Sequence, residues 1–328
     1  MAAFVDRFDA VLLISFGGPE GMDDIRPFLS NVLRGRPVPP GRIDAVAHHY
    51  ELFGGVSPIT AYTRRQAQGL QQRLAAAGHE LPVFVGMRNW HPFLADALAE
   101  MSQHGIRRAI GFIMAAQASY SSCQQYRENV RDARQAVRDR GLPDVGVTYV
   151  PGWHLHDGFI AANAAHVRDA VQRLPEALRS RARLVFSAHS IPVSMADRSR
   201  YREQLTEGAQ AVATRAGMSD WTLVYQSRSG RPQDPWLEPD ICDYLKTAAA
   251  DGLDAAVLCP IGFVCDHIEV LYDLDREAAA VAREVGVALV RADAVNDDPL
   301  FLAAMTHIVL ETIARYRSGR PLEIGIGD

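Results

Sequence analysis

The sequence predicts an α/β fold of two doubly wound domains, each with a four-stranded parallel sheet flanked by helices. Eight short apolar runs alternate with stretches of helical periodicity, which is the pattern of parallel strands buried on both faces. A length of 328 residues suits about two domains. Two helical segments and a long loop over residues 35–58 break the regular strand–helix alternation that a single (β/α)₈ barrel would need.

Each element is predicted from its own pattern of apolar residues. The strands are predicted at residues 10–16, 82–87, 108–114, 146–150, 183–188, 222–227, 255–264 and 287–292. The principal helices are predicted at residues 59–77, 92–104, 124–140, 158–174, 198–216, 239–251, 267–285 and 299–317. We therefore expect a first domain over residues 1–170, a second over 171–298, and a final helical segment over 299–328 that packs back on the first.

Composition and charge exclude several classes of protein. The chain is 48% apolar and 22% charged, as a globular protein is, and its net charge of −5 offers no basic surface for nucleic acid. It has no run of 18 apolar residues, so no integral membrane segment is expected. Asp6 and Asp9 precede the first apolar run, which indicates a buried strand rather than an export signal. We expect a cytoplasmic location.

Polar side chains that suit catalysis follow the fifth and seventh predicted strands. His189 lies at the end of the fifth, and Glu269 follows the seventh; ligands bind at this edge of open α/β sheets. Glu269, Asp273 and Glu277 recur every four residues and share one helix face, which favours a path for protons or metal ions. The alternatives are a solvated helix face for the carboxylates and a hydrogen-bonded core histidine for His189.

Two long segments carry a resemblance to a known family. Residues 184–192, LVFSAHSIP, and 260–273, PIGFVCDHIEVLYD, resemble the motifs of ferrochelatases. The segments QSR at 226–228 and PWLEP at 235–239 fit the region between them, and further matches extend from Leu12 to Pro92. The resemblance covers nearly the whole chain. It implies two Rossmann-like, chelatase-like domains and a lyase-type metal chelatase that inserts Fe(II) into a porphyrin in haem biosynthesis.

The resemblance also implies a set of site residues. His189 and Glu269 would be catalytic and would contact the metal, because a neutral imidazole can accept a pyrrole proton or ligate iron. Asp273 and Glu277 would extend from them as a conduit for protons or metal. The loop after the first strand resembles the branch that converts coproporphyrin III to coproheme. By this resemblance the porphyrin-binding residues are Phe16, Arg34, Arg36, Tyr50, Ser57 and Tyr126.

The four cysteines lead to a further expectation. Some ferrochelatases carry a [2Fe–2S] cluster, and Cys123 matches the place of one of its ligands. Cys123, Cys259 and Cys265 fall at predicted strand ends, and Cys242 lies in a neighbouring predicted helix. We expect these four thiolates to ligate one [2Fe–2S] cluster, with small buried core residues as the alternative.

Three other functions stay open at this point. They are a protoporphyrin IX ferrochelatase, a cobalt or nickel chelatase for a reduced tetrapyrrole, and a non-enzymatic carrier of metal or haem. The expected partners are a porphyrin and ferrous iron. We expect a monomer that makes transient contacts with neighbouring enzymes of the haem pathway, binds no nucleic acid and has no integral membrane segment.

Overall fold

Two separate four-stranded parallel sheets form the framework of the chain, which confirms the predicted fold class. The computed structural model describes residues 8–35, 41–229 and 233–319. The strands are β1 (Ala10–Ser15), β2 (Val83–Met87), β3 (Arg108–Ile113), β4 (Gly146–Tyr149), β5 (Arg183–His189), β6 (Trp221–Gln226), β7 (Ala255–Cys259) and β8 (Ala288–Arg291). The first sheet has the order β2-β1-β3-β4 and the second the order β6-β5-β7-β8. Every predicted apolar run contributes one strand.

Helices connect the strands, as parallel pairing requires. Those up to residue 139 are α1 (Ile25–Val32), α2 (Arg42–Glu51), α3 (Ile59–Ala76), α4 (Leu94–Gln103) and α5 (Gln125–Asp139), with a 3₁₀ turn at Met22–Asp24 and a π-helical turn at Tyr120–Gln124. The later ones are α6 (Asp157–Arg173), α7 (Glu176–Arg179), α8 (Val193–Ala196), α9 (Tyr201–Ala216), α10 (Ile241–Ala250), α11 (Ile268–Tyr272), α12 (Ala279–Glu284) and α13 (Pro299–Arg317). A π-helical segment at Asp273–Ala278 joins α11 to α12.

The described chain divides into two compact units, one around each sheet. Of the described residues, the first unit holds those up to Met114, Ser121–Gly152 and those from Leu302 to Gly319; the second holds Ala115–Tyr120 and the described part of Trp153–Phe301. The boundary predicted between residues 170 and 171 is displaced, because it would cut through α6. That helix buries Phe159 and Val167 and packs on β7 and β8, so it belongs to the second unit as a whole.

The centre of each sheet is apolar along its full length. All six residues of β1 and all five of β7 are buried, as expected of strands covered on both faces. One face of the second sheet packs Val185 and Leu258 against Leu245 of α10 and Leu274 of the π-helical segment. This layer therefore fixes the π-helical segment against the sheet whose strand β5 ends at His189.

The predicted seventh strand and the helix that follows it differ from the prediction. The strand was expected over residues 255–264 but ends at Cys259, because Pro260 has no amide hydrogen to continue the ladder. The single helix expected over residues 267–285 is α11, the π-helical segment and α12 in succession. The first difference lies in the chain that leads to Glu269, and the second lies in the helical segment that contains it.

Candidate active site

His189 is the last residue of β5, an inner strand of the second sheet. β5 pairs with β7 as far as Phe186 and with β6 as far as His189 itself, so β6 holds the backbone of His189 at the edge where open α/β sheets bind ligands. Its side chain is 33% exposed. The predicted histidine is thus neither a sealed core residue nor a fully solvated one.

Hydrogen bonding at His189 selects one form of its neutral ring. Nδ1 donates to the backbone carbonyl of Ser190 at 2.5 Å, because a carbonyl oxygen can only accept. Nε2 of the neutral ring then has no hydrogen and presents its lone pair. Behind the ring, the hydroxyl of Tyr201 donates to the carbonyl of His189 at 3.0 Å. The imidazole is therefore oriented with a basic nitrogen outward.

Glu269 places one carboxylate oxygen between two imidazoles. Its Oε2 lies 3.6 Å from Nε2 of His189 and 3.4 Å from Nε2 of His267. The loop that leads to Glu269 can approach β5 because residue 262 is glycine: a Cβ there would lie 2.6 Å from the Cβ of Ala188. The structure thus brings together His189 and Glu269, which the sequence places far apart.

The π-helical segment holds the next carboxylate. Asp273 accepts a hydrogen bond from the hydroxyl of Ser227. Burial, with smaller contributions from the negative charges of Glu269 and Glu277, raises the pKa of Asp273 to about 7. In a π-helix the hydrogen bonds span five residues rather than four. Residues spaced by four then drift less around the helix axis, so the carboxylates stay closer to one line.

Glu277 is the third carboxylate of the row. Burial raises its pKa, and the charge of Asp240 raises it further, while a hydrogen bond with Tyr272 opposes the change. Asp273 and Glu277 therefore titrate nearer to neutrality than exposed carboxyls do. Asp273, with a pKa of about 7, is therefore partly protonated near neutral pH, which a fully solvated carboxyl would not be.

Several supporting residues were not predicted as site residues from the sequence. The side chain of Gln226 donates through Nε2 to the backbone carbonyl of Glu269 at 3.0 Å. The backbone carbonyl of Gln226 accepts from the backbone amide of Ser190 at 2.7 Å. Ser227 is held at φ 61°. The QSR segment flagged two of these residues through the family motif. Tyr201, at the start of α9, was missed because an aromatic residue on a buried helix face reads as core.

The predicted porphyrin-binding residues of the first unit include part of an aromatic cluster. Phe16 follows β1, and its ring centroid lies 6.2 Å from that of Phe28. Phe28 also contacts Tyr50 at 5.6 Å and Trp90 at 6.3 Å between centroids. Phe16 and Tyr50 are thus brought together through Phe28. Trp90 extends this apolar surface and was not singled out in the sequence.

The polar members of that predicted set differ in exposure. Arg34 is exposed and donates to Oδ1 of Asn31 at 2.6 Å. Ser57 and Tyr126 are only 3% and 6% exposed, which suits walls of a cavity better than surface anchors for carboxylates. Arg36 lies outside the described residues.

The four cysteines do not form the predicted cluster. Cys242 of α10 packs with the apolar layer that contains Leu258. Cys259 is the next residue of β7, so its side chain points to the opposite face, where its sulfur donates to Oδ1 of Asn163 at 3.8 Å. The sheet thus separates these two sulfurs. The prediction that Cys123, Cys242, Cys259 and Cys265 hold one [2Fe–2S] cluster is therefore wrong.

Burial also changes the chemistry of the thiols. It raises the pKa of Cys242 and of Cys259 to about 12, and it raises the pKa of Cys265 as well. Without a bound metal these thiols are therefore protonated at neutral pH. Among the described residues, no three His, Cys, Asp or Glu side chains form a ready-made metal site.

None of the helices in the described ranges combines the length and the apolar character needed to cross a bilayer. The absence of a spanning helix was expected from the sequence.

Comparison with known proteins identifies the family of the chain. The family model for ferrochelatase matches residues 8–313. A coproporphyrin III ferrochelatase of Streptomyces griseus is 46% identical over 331 aligned positions, which cover 96% of this chain and 88% of that protein. A ferrochelatase of Rhodopirellula baltica is 47% identical over 309 positions, covering 94% of this chain and 87% of its own.

Solved structures show the likeness of fold at much lower identity. SirB from Bacillus subtilis, solved with Fe³⁺, superposes with a TM-score of 0.59 at 12% identity, over 97% of this chain and 100% of SirB. At that identity the likeness concerns the fold alone. The family match over most of the chain, together with relatives at nearly half identity, is decisive: this chain belongs to the ferrochelatase family.

Proposed function

We propose that this ferrochelatase inserts Fe(II) into coproporphyrin III to form coproheme, with His189 and Glu269 at the reacting centre. The family fixes the class of enzyme, a metal-inserting chelatase with Fe(II) as a substrate. The observation that carries the proposed site is the contact of Nε2 of His189 with Oε2 of Glu269 at 3.6 Å. The proposed specificity for coproporphyrin III is supported by relatives of this chain that are 46% identical to it and are coproporphyrin III ferrochelatases.

The chemistry of insertion needs a base at the porphyrin. Two pyrrole protons must leave while four nitrogens take up the cation. His189 suits the first task, because its Nδ1 hydrogen bond leaves Nε2 with a lone pair. The imidazolium that forms is stabilised by the carboxylate of Glu269. Either group is also a donor that borderline metals such as Fe(II) accept.

The carboxylate row gives the proton a way out. With a pKa of about 7, Asp273 has comparable protonated and ionised populations at neutral pH. It can therefore take a proton from the side of Glu269 and release it toward Glu277, whose pKa is also raised. We propose this order of transfer, and the same carboxylates as the route for incoming metal.

The residues that we assign to porphyrin binding belong to the first unit. Phe16 and Tyr50 would contact the macrocycle from the aromatic cluster, and Ser57 and Tyr126 would shape the pocket wall. Arg34 would bind a propionate, because a guanidinium can hold a carboxylate with two hydrogen bonds. Arg36 is assigned the same role on the resemblance alone. Coproporphyrin III has four propionates and protoporphyrin IX has two, so this specificity needs more such groups.

A parallel assay tests the proposal. Wild-type enzyme is given Fe(II) without oxygen and either porphyrin, and kcat/KM is measured from the change in absorbance. We expect the higher kcat/KM with coproporphyrin III. Arg34→Ala should lower kcat/KM about tenfold for coproporphyrin III, the loss of roughly one charged hydrogen bond, and less for protoporphyrin IX.

Arg26 supplies the matched control for that variant. It lies on α1, the helix that ends two residues before Arg34, and pairs with Asp44 at 2.9 Å in an exposed position. Arg26→Ala should leave both substrates unchanged. A higher kcat/KM with protoporphyrin IX would overturn the assignment of the porphyrin.

One observation keeps the cobalt and nickel alternative in the assay. Imidazole is a good ligand for such metals, and His267 supplies a second imidazole at Glu269. Co(II) and Ni(II) should therefore be run beside Fe(II), with Fe(II) expected to give the highest turnover. The carrier alternative disagrees with membership of an enzyme family. Cytoplasmic location, monomeric state and contacts with neighbouring enzymes stay predictions.

A further inference from the structure

An arginine at the end of β8 binds two carboxylates, one before Glu269 and one after Asp273 in the chain. Arg291 binds Asp275 through two parallel contacts, Nε–Oδ1 at 2.6 Å and Nη2–Oδ2 at 2.9 Å. Its Nη1 lies 2.9 Å from Oδ1 of Asp266. The side chains of Arg291 and Asp266 are only 13% and 10% exposed. One guanidinium thus uses both of its edges inside the protein.

The second carboxylate of this arrangement is fixed from its other side. Asn296 donates through Nδ2 to Oδ2 of Asp266 at 3.0 Å, and its Oδ1 accepts from the amide of Asp266 at 2.8 Å. Asn296 holds this geometry at φ 44°. Among the described residues, the only other non-glycine residue with a positive φ is Ser227, which binds Asp273. Strained backbone of this kind persists where the surroundings enforce it.

The two carboxylates bound by Arg291 lie at either end of the segment that carries Glu269. Asp266 immediately precedes His267, and Asp275 lies in the π-helical segment, two residues after Asp273. Arg291 itself is on a strand of the sheet, hydrogen-bonded through its own carbonyl to Nη2 of Arg173 at 2.6 Å. Both ends of the segment are therefore tied to the sheet rather than to each other alone.

Such an arrangement has little value as a source of stability alone. Burying charges carries a desolvation cost that offsets most of their attraction, and an apolar replacement is often as stable. What the fork of an arginine adds is fixed geometry, since it accepts planar carboxylates in one orientation. The position of Glu269 depends on where this segment begins and ends.

We propose that Arg291 is a positioning residue for metal insertion: it fixes the segment from Asp266 to Asp275 so that Glu269 faces His189. This inference rests on the proposed function for its effect on rate. It assigns no contact between Arg291 and either substrate. Asp266, Asp275 and Asn296 are the groups through which it acts.

The test compares Arg291→Ala with a matched arginine of the first unit. Arg134 makes the same two-point contact with Asp144, at 3.0 and 2.7 Å, in the unit without His189 and Glu269. Arg291→Ala should lower kcat about 10²-fold, the loss that a misplacement of about 1 Å can cause, with little change in KM for the porphyrin. Millimolar guanidinium should restore part of the rate. Arg134→Ala should leave kcat unchanged.

A second measurement needs no substrate. Amide hydrogen exchange in residues 266–278 should be faster in Arg291→Ala than in wild type, and unchanged there in Arg134→Ala. Asp275→Asn, which leaves the contact of Arg291 with Asp266 intact, should give the same changes to a smaller extent. This milder variant keeps the test open where Arg291→Ala fails to fold.

Two results would overturn the proposal. One is a kcat for Arg291→Ala or Asp275→Asn equal to that of Arg134→Ala, and the other is unchanged exchange over residues 266–278. A wild-type enzyme that inserts no iron into either porphyrin would contradict the proposed function instead. The exchange comparison would still decide whether Arg291 positions the segment.

Discussion

Replacing Asp273 by asparagine should make the folded protein more stable at pH 8 while slowing metal insertion. The cause is the burial of this carboxyl beside Glu269 and Glu277, which raises its pKa from 3.8 to about 7. An ionised Asp273 is therefore held in the folded state at a cost. Asparagine keeps the shape and can still accept the hydrogen bond from Ser227, but it carries no charge.

The size and sign of the effect follow from the pKa values. A rise from 3.8 to about 7, at about 1.4 kcal/mol per unit, sets an upper bound of about 4 kcal/mol. Because the pKa is raised in the folded state, the stability that the protonated group contributes is fully present below pH 4. It is lost as the pH rises through 7. The advantage of Asp273→Asn should therefore be largest at pH 8 and vanish near pH 4.

Urea unfolding followed by circular dichroism, at pH 8 and at the lowest pH where the enzyme stays folded, measures this difference. Only the change between variant and wild type is compared, so the other titrating groups cancel. Asp275→Asn is the matched control, since it removes the same charge two residues away. It should lower stability, because it breaks the paired contact with Arg291. An Asp273→Asn variant less stable than wild type at pH 8, or a difference that is independent of pH, would refute the reasoning.

Three further outcomes are expected. His189→Ala should lower insertion by at least about 10²-fold, the usual share of a positioned base, while fluorescence quenching still reports porphyrin binding; retention of a tenth of the activity would remove it as the base. Glu269→Gln should reduce kcat much more than Glu277→Gln, because Glu277 is two steps from the imidazole, and equal small effects would contradict the relay. Cys259 and Cys265 should resist iodoacetamide in the folded protein at pH 8, measured by mass spectrometry, and react once urea unfolds it; rapid labelling before unfolding would contradict their burial.

The strands could be predicted from the sequence because continuous apolar runs have few other uses in a chain of this composition. His189 and Glu269 could be found for a related reason, since the carboxyl ends of parallel strands meet at one edge of a sheet. The end of β7 was misplaced because Pro260 stands inside an apolar run. The apolar pattern continues through Pro260, but the hydrogen-bonded ladder does not, because proline has no amide hydrogen.

The cysteine cluster failed for a different physical reason. Cys242 and Cys259 belong to neighbouring elements along the chain, α10 and β7. The two-residue period of a strand, however, decides which face of the sheet a side chain occupies. Adjacency of elements along the chain carries no such information. The π-helical segment was equally hidden, because Asp273 and Glu277 keep a four-residue spacing that an α-helix would also give. The two differ in their backbone hydrogen bonds, which span five residues in the π-helical segment and four in an α-helix.

The two sides of the reacting centre differ in how readily they open. His189 ends a strand whose last residue is paired with Gln226 of β6, so its backbone is released only when β5 and β6 separate at that end. Glu269 stands on five residues of α-helix followed by a wider π-helical turn, and such short helical segments open at much lower free energy than core strands. On warming, the carboxylate side should therefore lose its order first. Heat inactivation of this enzyme would then begin as a local and reversible event, at temperatures where both sheets are still intact.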